Sequence, residues 1–476
     1  MTSLGKIERG TAAASGAAAR SGNHLAVELT ETLKLAVPIA LTQLGQIAMM
    51  TTDLADRTSR RRGARRAALA HTVFFVTFTF GMGLVSAVAP LAAQAFGARD
   101  PRLVRRSLRV GLWAALMISL PMMMLPLGGE QILLMLGQAP ATARLAQRYL
   151  LGLAWGIAPA LWFMAIRGFM GAVNRPEPGL WITLAAIPAN AVLVYLLIHG
   201  ELGLPRLELF GAGLATTTIN FGMFLAGLWF AHARRPFRKY QVLGRIWRVD
   251  WMLMRQLVVI GAPISISFLL EYGLFAAAAL LMGLISTTAL AAHQIALQVT
   301  AILFMVPFGI GMAATVRVGH AVGRNDAAAV RRAGLVATLL GIALVSILTV
   351  TVILARFAIA RFFFGEAVES AGVAIELTAT LLMVGATFFV ADGIQTVAAG
   401  ALRGMSDTRV PLLLAAISYW LIGFTAAYGL AFWAEFGAVG VWIGLSCGTA
   451  VYAVLLILRF QSLTRRLQLA TLIHAY

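Results

Sequence analysis

Three carboxylates lie within apolar stretches of the sequence, where ionisable side chains are costly. Asp53 lies in MMTTDLA, Glu271 in SISFLLEYGLF and Asp392 in FFVADGIQTV, each without a Lys or Arg within three residues. A charge at the centre of a membrane helix costs about 2.5–3.5 kcal/mol on insertion scales. A carboxyl group in a low dielectric favours its neutral form, so it can take up a proton or bind Na⁺. We therefore predict that these acids bind a coupling ion; the open alternative is a protonated structural acid bonded to a neighbouring helix.

Four side-chain amides accompany the acids in the apolar stretches. Asn190 lies in IPANAVLVYLL, and we expect it to line a cavity with the acid of the first span. Gln294, Gln298 and Gln395 are candidates for contacts with a substrate. Hydrogen bonds between helices would explain Asn190 equally well and are the favoured explanation of the three glutamines, but both interpretations stay open.

No motif of enzyme chemistry is present. The sequence has no nucleophile triad and no phosphate-binding loop, and its single cysteine, Cys447, excludes a thiolate metal site. We predict that the protein is not an enzyme, has no metal site and needs no cofactor other than the coupling ion, Na⁺ or H⁺.

The elements that must position these residues are membrane helices. The chain of 476 residues is 60% hydrophobic and 12% charged, with a mean hydropathy of +0.84. This is more apolar surface than a soluble core can bury. Apolar runs of about 20 residues, enough to cross the bilayer as helices, recur without period-2 alternation. We predict an all-α integral membrane protein with twelve spans, at 35–55, 69–96, 108–127, 146–170, 178–199, 209–232, 251–285, 289–322, 333–358, 371–402, 410–432 and 436–462.

Basic residues are concentrated in alternate loops, which predicts the orientation in the membrane. The loops at 99–106, 234–239 and 324–332 are rich in arginine. By the positive-inside rule these loops and both termini lie in the cytoplasm, and the protein lies in the inner (plasma) membrane. The formal net charge of +19 then reflects topology, and we expect no nucleic-acid partner. Residues 1–34 lack the apolar region of a signal peptide and are predicted to be a disordered cytoplasmic tail.

An internal repeat supports two equal halves. QAFGARDPRLVRR at 94–106 matches HAVGRNDAAAVRR at 320–332, and FGAGLA at 210–215 matches FGAVGV at 436–441, both at an offset of 226. Parallel repeats of this kind are typical of transporters whose substrate path runs between the halves. We predict two six-helix lobes at 35–233 and 251–462, a cytoplasmic linker at 234–250 and a cytoplasmic tail at 463–476.

Four segments resemble the multidrug and toxic compound extrusion (MATE) transporters of the NorM type. These are PIALTQLGQIAMMTTDLA at 38–55, FGMGLVSAVAPLAAQAFGARD at 80–100, AAHQIALQV at 291–299 and GALRGMSDTRVP at 400–411. The resemblance implies two six-helix lobes and export of organic cations in exchange for Na⁺ or H⁺. It also implies functional side chains in the first, fifth, seventh and tenth spans, which match Asp53, Asn190, Glu271 and Asp392.

The stretch DRTSRRRGARR at 56–66 departs from this resemblance. Similar proteins continue the first span there and form a short outer loop, with text of the kind MIGRLG. Arginines on the translocated side oppose the positive-inside preference. If suitable synonymous codons are chosen for this stretch, shifting the reading frame by one base gives the amino-acid sequence that similar proteins have there. We therefore propose a pair of compensating frameshifts at 56–67, in the gene or in its sequence record, and a nucleotide sequence that cannot be regrouped would remove this hypothesis. The alternatives are an adapted outer loop and a site for anionic lipids.

Together these features predict an antiporter that exports organic cations across the inner membrane by alternating access of its two lobes. Its expected partners are a small organic cation and membrane lipid. A lipid or oligosaccharide-lipid flippase is the alternative, but its cavity should be rich in basic residues, and the spans hold few. A membrane-embedded enzyme would carry its acids at the interface, and a structural or receptor protein would lose no flux when its acids were neutralised.

Overall fold

The computed structural model describes residues 25–46, 75–135, 140–200, 207–364 and 371–473. Within these ranges the chain is helical and forms no strand. The helices, numbered in chain order, are α1 (25–46), α2 (Phe75–Gly97), α3 (Pro101–Leu127), α4 (Gly129–Met135), α5 (Pro140–Ala154), α6 (Ile157–Ala172), α7 (Glu177–His199), α8 (Glu208–Ala233), α9 (Trp251–Ile285), α10 (Thr287–Gly323), α11 (Ala327–Phe364), α12 (Ala371–Gly404), α13 (Arg409–Trp433) and α14 (Gly437–Ile473).

The number of membrane helices agrees with the predicted fold. Ten of the described helices are long and apolar enough to cross a membrane, and α5 with α6, bent by 46° at a short break, makes an eleventh span. Helix α1 stands where the first predicted span begins and completes the predicted twelve. The all-α membrane fold is therefore confirmed.

Helix α1 begins earlier than the sequence analysis predicts. The predicted disordered tail reaches residue 34, whereas the structure is helical from residue 25. A contact explains the extra turns, because Arg317 of α10 donates two hydrogen bonds to the Glu28 carboxylate, at 3.0 and 2.8 Å. Such a bidentate ion pair fixes the geometry as well as adding energy, and the Leu35 and Ala36 side chains beyond it are buried.

The sequence repeat produces the same loop twice. Asp100 begins α3, and its carboxylate accepts a hydrogen bond from the N–H of Leu103 at 3.0 Å. Asp326 begins α11 and accepts from the N–H of Ala329 at 2.9 Å. In each loop the residue before the aspartate is left-handed, with φ of 57° and 56°. The matching text at 94–106 and 320–332 therefore codes one helix–loop–helix unit in each half.

Each half has its own hydrophobic core, and one helix end from each half packs in the core of the other. Leu108, Ile157 and Phe169 belong to the N-terminal core, which also takes in Leu257 from the first half of α9. The C-terminal core contains Phe388 and Trp442, together with Leu35 and Ala36 of α1. The first part of α9 therefore packs with the N-terminal lobe, although the sequence assigns it to the second lobe.

The two lobes are in tight contact at the end that carries the basic loops. A Cβ atom at Gly97 would overlap the carbonyl oxygen of His320, and one at Gly323 would overlap the carbonyl oxygen of Gln94. These two contacts are related by the repeat, since Gly323 follows Gly97 by 226 residues and His320 follows Gln94 by the same offset. Only glycine allows helices α2 and α10 to approach this closely.

A matching pair of hydrogen bonds joins the lobes at the same end. The Gln94 side-chain amide donates to the carbonyl oxygen of Gly404 at 2.9 Å. The His320 Nε2–H donates to the carbonyl oxygen of Ala172 at 2.7 Å. Each bond runs from the inner helix of one lobe to the last turn of a helix in the other, so together they close this end of the molecule.

Candidate functional site

Two of the predicted acids meet at one amide in the C-terminal lobe. The Gln395 Nε2 group donates hydrogen bonds to Asp392 Oδ1 at 2.8 Å and to Glu271 Oε1 at 3.1 Å. Asp392 and Gln395 lie on α12 close to one turn apart, which places both side chains on the same face. Glu271 reaches them from α9. The structure therefore brings together three predicted residues from two spans, the seventh and the tenth.

Tyr419 of α13 fixes the orientation of this amide. Its hydroxyl donates to Gln395 Oε1 at 2.7 Å, so the Gln395 NH₂ group must face the two carboxylates. Tyr419 lies where α13 widens into a π-helix over Ile417–Phe424. Such local widening is frequent at functional sites, because it turns side chains away from the regular helical positions. The Tyr452 ring packs against Tyr419 with a centroid separation of 5.0 Å.

A buried arginine completes this cavity. The Arg403 guanidinium lies 5.0 Å from the centre of the Phe268 ring and interacts electrostatically with Glu271. Both residues line a small cavity together with Glu271, Gln395 and Tyr419. We call this the C-lobe cavity. Arg403 and Glu271 are the charged residues of its described lining, and Asp392 is buried beside it, bonded to Gln395.

The geometry limits which charge states the carboxylates can hold. Both accept from one nitrogen atom, so their oxygens lie within a few ångströms of each other. Two carboxylates this close cannot both be ionised cheaply unless a cation or a proton lies near them. Oxygen ligands suit hard cations, and a proton serves the same purpose. Balancing the charge of Glu271 and Asp392 therefore requires a proton or a cation close to both.

A second cavity lies between the lobes on the N-terminal side. It is partly open to the surface, and its walls come from α1, α2, α6 and α10. Arg167 of α6 is its charged residue, and its Nη2 donates to Gln43 Oε1 at 2.9 Å. Phe308 of α10 lines both cavities, so the two are neighbours. We call this the N-lobe cavity.

Among the other predicted site residues, those that the structure describes do not line these cavities. Asp53 lies outside the described residues, as does the arginine-rich stretch at 56–66. Asn190 is fully buried on α7, which packs at Ile187 against Gly45 of α1. Gln294 and Gln298 are exposed on the half of α10 that lies away from the basic loops. Their predicted contacts with substrate stay predictions.

Four residues of the two cavities were not predicted from the sequence. These are Arg167, which lies inside a predicted span, and Arg403, Tyr419 and Tyr452. Arg403 could have been found, because it lies within the GALRGMSDTRVP segment, at the end of the predicted span that contains Asp392. Nothing in the local sequence marks the tyrosines, since their role depends on the π-helical turn and on packing between helices.

Comparison with known proteins settles the family. The sequence model of the MatE family matches residues 66–196 and 263–429, which is more than half of the chain. The chain belongs to the MatE family. The match to this family of transporters confirms the resemblance drawn from the sequence, and it supports transport as against enzyme chemistry. It begins at residue 66, at the end of the arginine-rich stretch.

Several members of the MatE family are similar over nearly the whole chain. A probable multidrug resistance protein NorM of Bradyrhizobium diazoefficiens is 68% identical over 447 residues, covering 94% of this chain and 96% of that protein. The corresponding protein of Rhodopseudomonas palustris is 58% identical over 440 residues, covering 92% of each.

Solved structures of MATE transporters share the fold. The eukaryotic MATE transporter AtDTX14 superposes with a TM-score of 0.82 at 20% identity, over 93% of this chain and 98% of that one. An outward-facing multidrug resistance MATE transporter superposes with a TM-score of 0.84 at 18% identity, over 92% and 96%. The MATE fold with two lobes is therefore shown for this chain.

Proposed function

We propose that this protein is an antiporter that exports organic cations, including drugs and toxic compounds, in exchange for Na⁺ or H⁺. One observation carries the proposal: Glu271 and Asp392 share the Gln395 amide within a membrane cavity. The names of the NorM relatives, which describe multidrug resistance proteins, support the same substrate class.

The coupling follows from competition for the two carboxylates. A coupling ion or a proton at Glu271 and Asp392 balances their charge, and so does an organic cation. Holding both cations at once would place like charges a few ångströms apart in a low dielectric, which is unfavourable. Binding of one cation therefore favours release of the other. Because the Tyr419 hydroxyl of α13 is bonded to Gln395, each exchange also changes the forces that act on α13.

Alternating access is supported by the one-sided contact between the lobes. The glycine contacts between α2 and α10 and the two hydrogen bonds between the lobes lie at the end with the basic loops. In the proposed orientation this end is cytoplasmic, with both termini on the same side of the inner membrane. The arrangement is then the one that releases substrate outward, and the inward-facing state requires these contacts to separate.

The proposal is tested by efflux of a fluorescent organic cation from cells that express this chain. Glu271→Gln and Asp392→Asn each remove one charge while keeping the side-chain shape. We expect extrusion by the parent and its loss in both variants at matched membrane levels. The control is Glu376→Gln, which neutralises an exposed carboxylate on the same helix as Asp392 and should leave efflux unchanged.

Either of two outcomes would contradict the proposal. The first is efflux by Glu271→Gln and Asp392→Asn at the parental rate. The second is an equal loss of efflux in the Glu376→Gln control, which would indicate a general effect of charge on folding or insertion.

A further inference from the structure

Arg167 is a buried cation that the proposed coupling mechanism does not use. Its Nη2 bonds to Gln43, but its Nη1 is buried and has no hydrogen-bond partner among the residues that the structure describes. In those same ranges no salt bridge involves Arg167. A guanidinium that is left with a buried, unpaired N–H group is costly. Such a group is expected where it receives an anion.

The position of the guanidinium is fixed before any ligand arrives. The Arg167 side-chain stem packs against Gly179 of α7, where a Cβ atom would approach the Arg167 Cγ at 2.9 Å. The bond to Gln43 holds one edge of the guanidinium. The other edge, with Nη1, is then presented in a constant orientation, which lowers the entropy lost on binding.

Space for a ligand lies beside this group. Gly171 follows Arg167 by about one helical turn and lines the same cavity. A Cβ atom at Gly171 would meet nothing within 4 Å. The other walls include the apolar side chains of Ile39, Met164 and Met312. No acidic residue lies among the described residues that form the cavity wall.

The remaining polar groups of the wall favour a singly charged anion. Thr42 and Ser86 also line the cavity, but each donates its hydroxyl hydrogen to a carbonyl oxygen of its own helix, at 2.7 and 2.6 Å. Arg167 is thus the one charged donor of the described cavity wall. One guanidinium edge matches a carboxylate in charge and geometry, whereas a phosphate dianion would need further cations.

We propose that the N-lobe cavity is a binding subsite for the carboxylate group of an organic substrate, held by Arg167. The apolar wall would receive the body of the compound. Because Phe308 also lines the C-lobe cavity, a substrate that carries a cation as well can extend toward Glu271 and Asp392. This inference rests on the proposed transport function and extends it to a second charged group of the cargo.

The test uses two fluorescent dyes with the same cationic xanthene body. One dye carries a free carboxylate and the other carries its ethyl ester, so the two differ in the anionic group alone. Binding of each dye to the purified full-length chain is measured by fluorescence polarisation. We expect Arg167→Gln to weaken binding of the carboxylate dye about tenfold or more, as for a lost hydrogen-bonded charge pair, and to change binding of the ester about twofold or less.

Two further variants keep the result interpretable. Gly171→Leu fills the open space without changing any charge, and it should also weaken binding of the carboxylate dye about tenfold, since it blocks the subsite. Arg109→Gln is the charge control. Arg109 is a buried arginine of α3 that donates to the carbonyl oxygen of Arg245 at 3.2 Å and lines neither cavity, so its loss should affect both dyes equally or not at all.

The outcomes separate this inference from the proposed function. The subsite is overturned if Arg167→Gln weakens both dyes equally, or if the carboxylate dye binds Arg167→Gln or Gly171→Leu as it binds the parent. Should Arg167→Gln fail to fold, Gly171→Leu decides. The proposed function itself fails if the ester dye does not respond to Glu271→Gln and Asp392→Asn, whatever Arg167 does.

Discussion

At the scale of single residues, the central feature is an amide that serves two carboxylates. Gln395 can donate to both Asp392 and Glu271 because Tyr419 occupies its oxygen. Without Tyr419, rotation of the amide would present an oxygen to the two acids and repel them. The site therefore depends on Tyr419, an uncharged residue that acts through its hydrogen bond to Gln395.

The role of this amide predicts the effect of Gln395→Leu. The substitution removes the shared donor and leaves the Tyr419 hydroxyl without its acceptor. We expect binding of the coupling ion to weaken about 10- to 100-fold, the usual range for loss of a supporting hydrogen-bond partner at an ion site. Ion-dependent quenching of intrinsic fluorescence in the purified protein would measure it. Gln256→Leu, at an exposed position of α9, is the control and should be neutral; a parental ion affinity in Gln395→Leu would contradict the assignment.

The sequence predicted the chemistry of this site and part of its membership. Carboxylates in apolar text are visible from composition alone, because their cost demands a reason, and Glu271 and Asp392 were found in that way. Arg403, which lines the same cavity as Glu271, was not found, since arginines at span ends are usually assigned to topology. Tyr419 was also missed, because a π-helical turn leaves no pattern in a single sequence.

At the scale of helices, the start of α9 joins the linker to the N-terminal lobe. Asp250 caps α9 by accepting from the N–H of Leu253 at 3.2 Å, and Arg106 of α3 donates to the same carboxylate through Nε at 2.7 Å and through Nη2. Burial would raise the pKa of Asp250, but these hydrogen bonds and the charges of Arg106 and Arg109 outweigh it and lower the pKa below its ordinary value. The folded chain therefore stabilises the ionised form of Asp250.

This pKa shift predicts a stability that depends on pH. A carboxylate whose folded pKa is depressed stabilises the protein above its unfolded pKa, about 4, and the contribution is lost as pH falls through the folded pKa. Asp250→Asn keeps the helix cap and removes the charge, so we expect it to reduce stability by about 1 kcal/mol at pH 7. The difference should shrink below about pH 4. Thermal unfolding in detergent from pH 3 to 7 measures it, and a difference that does not vary with pH would contradict the explanation.

The glycines at the basic end of α2 and α10 set how closely the lobes approach. A side chain at Gly97 cannot fit against the His320 carbonyl group without moving α10. Gly97→Val should therefore hold this end apart and stop outward release, reducing transport by about tenfold or more, because packed interfaces do not deform continuously. Gly222→Val is the matched control, since a Cβ atom there meets nothing within 4 Å on an exposed face of α8.

Distances between spin labels would reveal this separation. Labels at Arg102→Cys and Arg331→Cys, both exposed near the basic ends of the two lobes, can be placed in a Cys447→Ser background because the chain has no other cysteine. The distance should lengthen in Gly97→Val and stay at the parental value in Gly222→Val. An unchanged distance with normal transport in Gly97→Val would rule out the proposed closure.

At the scale of the whole molecule, the sequence predicted the two halves because the repeat is written in it. The matching text at 94–106 and 320–332 became two equivalent loops and two reciprocal contacts between lobes. Periodicity and repeats could not predict that α1 and α9 pack across the division, because exchange of helix ends depends on three-dimensional contacts such as Gly83 with Ser265 and Gly309 with Ala40. The frameshift hypothesis for residues 56–67 stays a prediction.

The two lobes also differ in charge. The C-lobe cavity places Arg403 near Glu271 and Asp392, whereas the described wall of the N-lobe cavity carries Arg167 and no acid. Two cavities of different charge that share Phe308 suit a cargo with more than one polar group. In the proposed function, the coupling ion binds at Glu271 and Asp392 of the C-terminal lobe.

Competition between the coupling ion and the cargo is the central claim, and one equilibrium titration tests it. A fluorescent organic cation without a carboxylate is bound to the purified chain, and Na⁺ and then protons are added while bound dye is measured. The account predicts that at least one of the two ions displaces the dye from the parent chain, and that neither alters dye binding in the double variant Glu271→Gln/Asp392→Asn. Dye binding that ignores both ions in the parent, or that responds equally in the double variant, would contradict it.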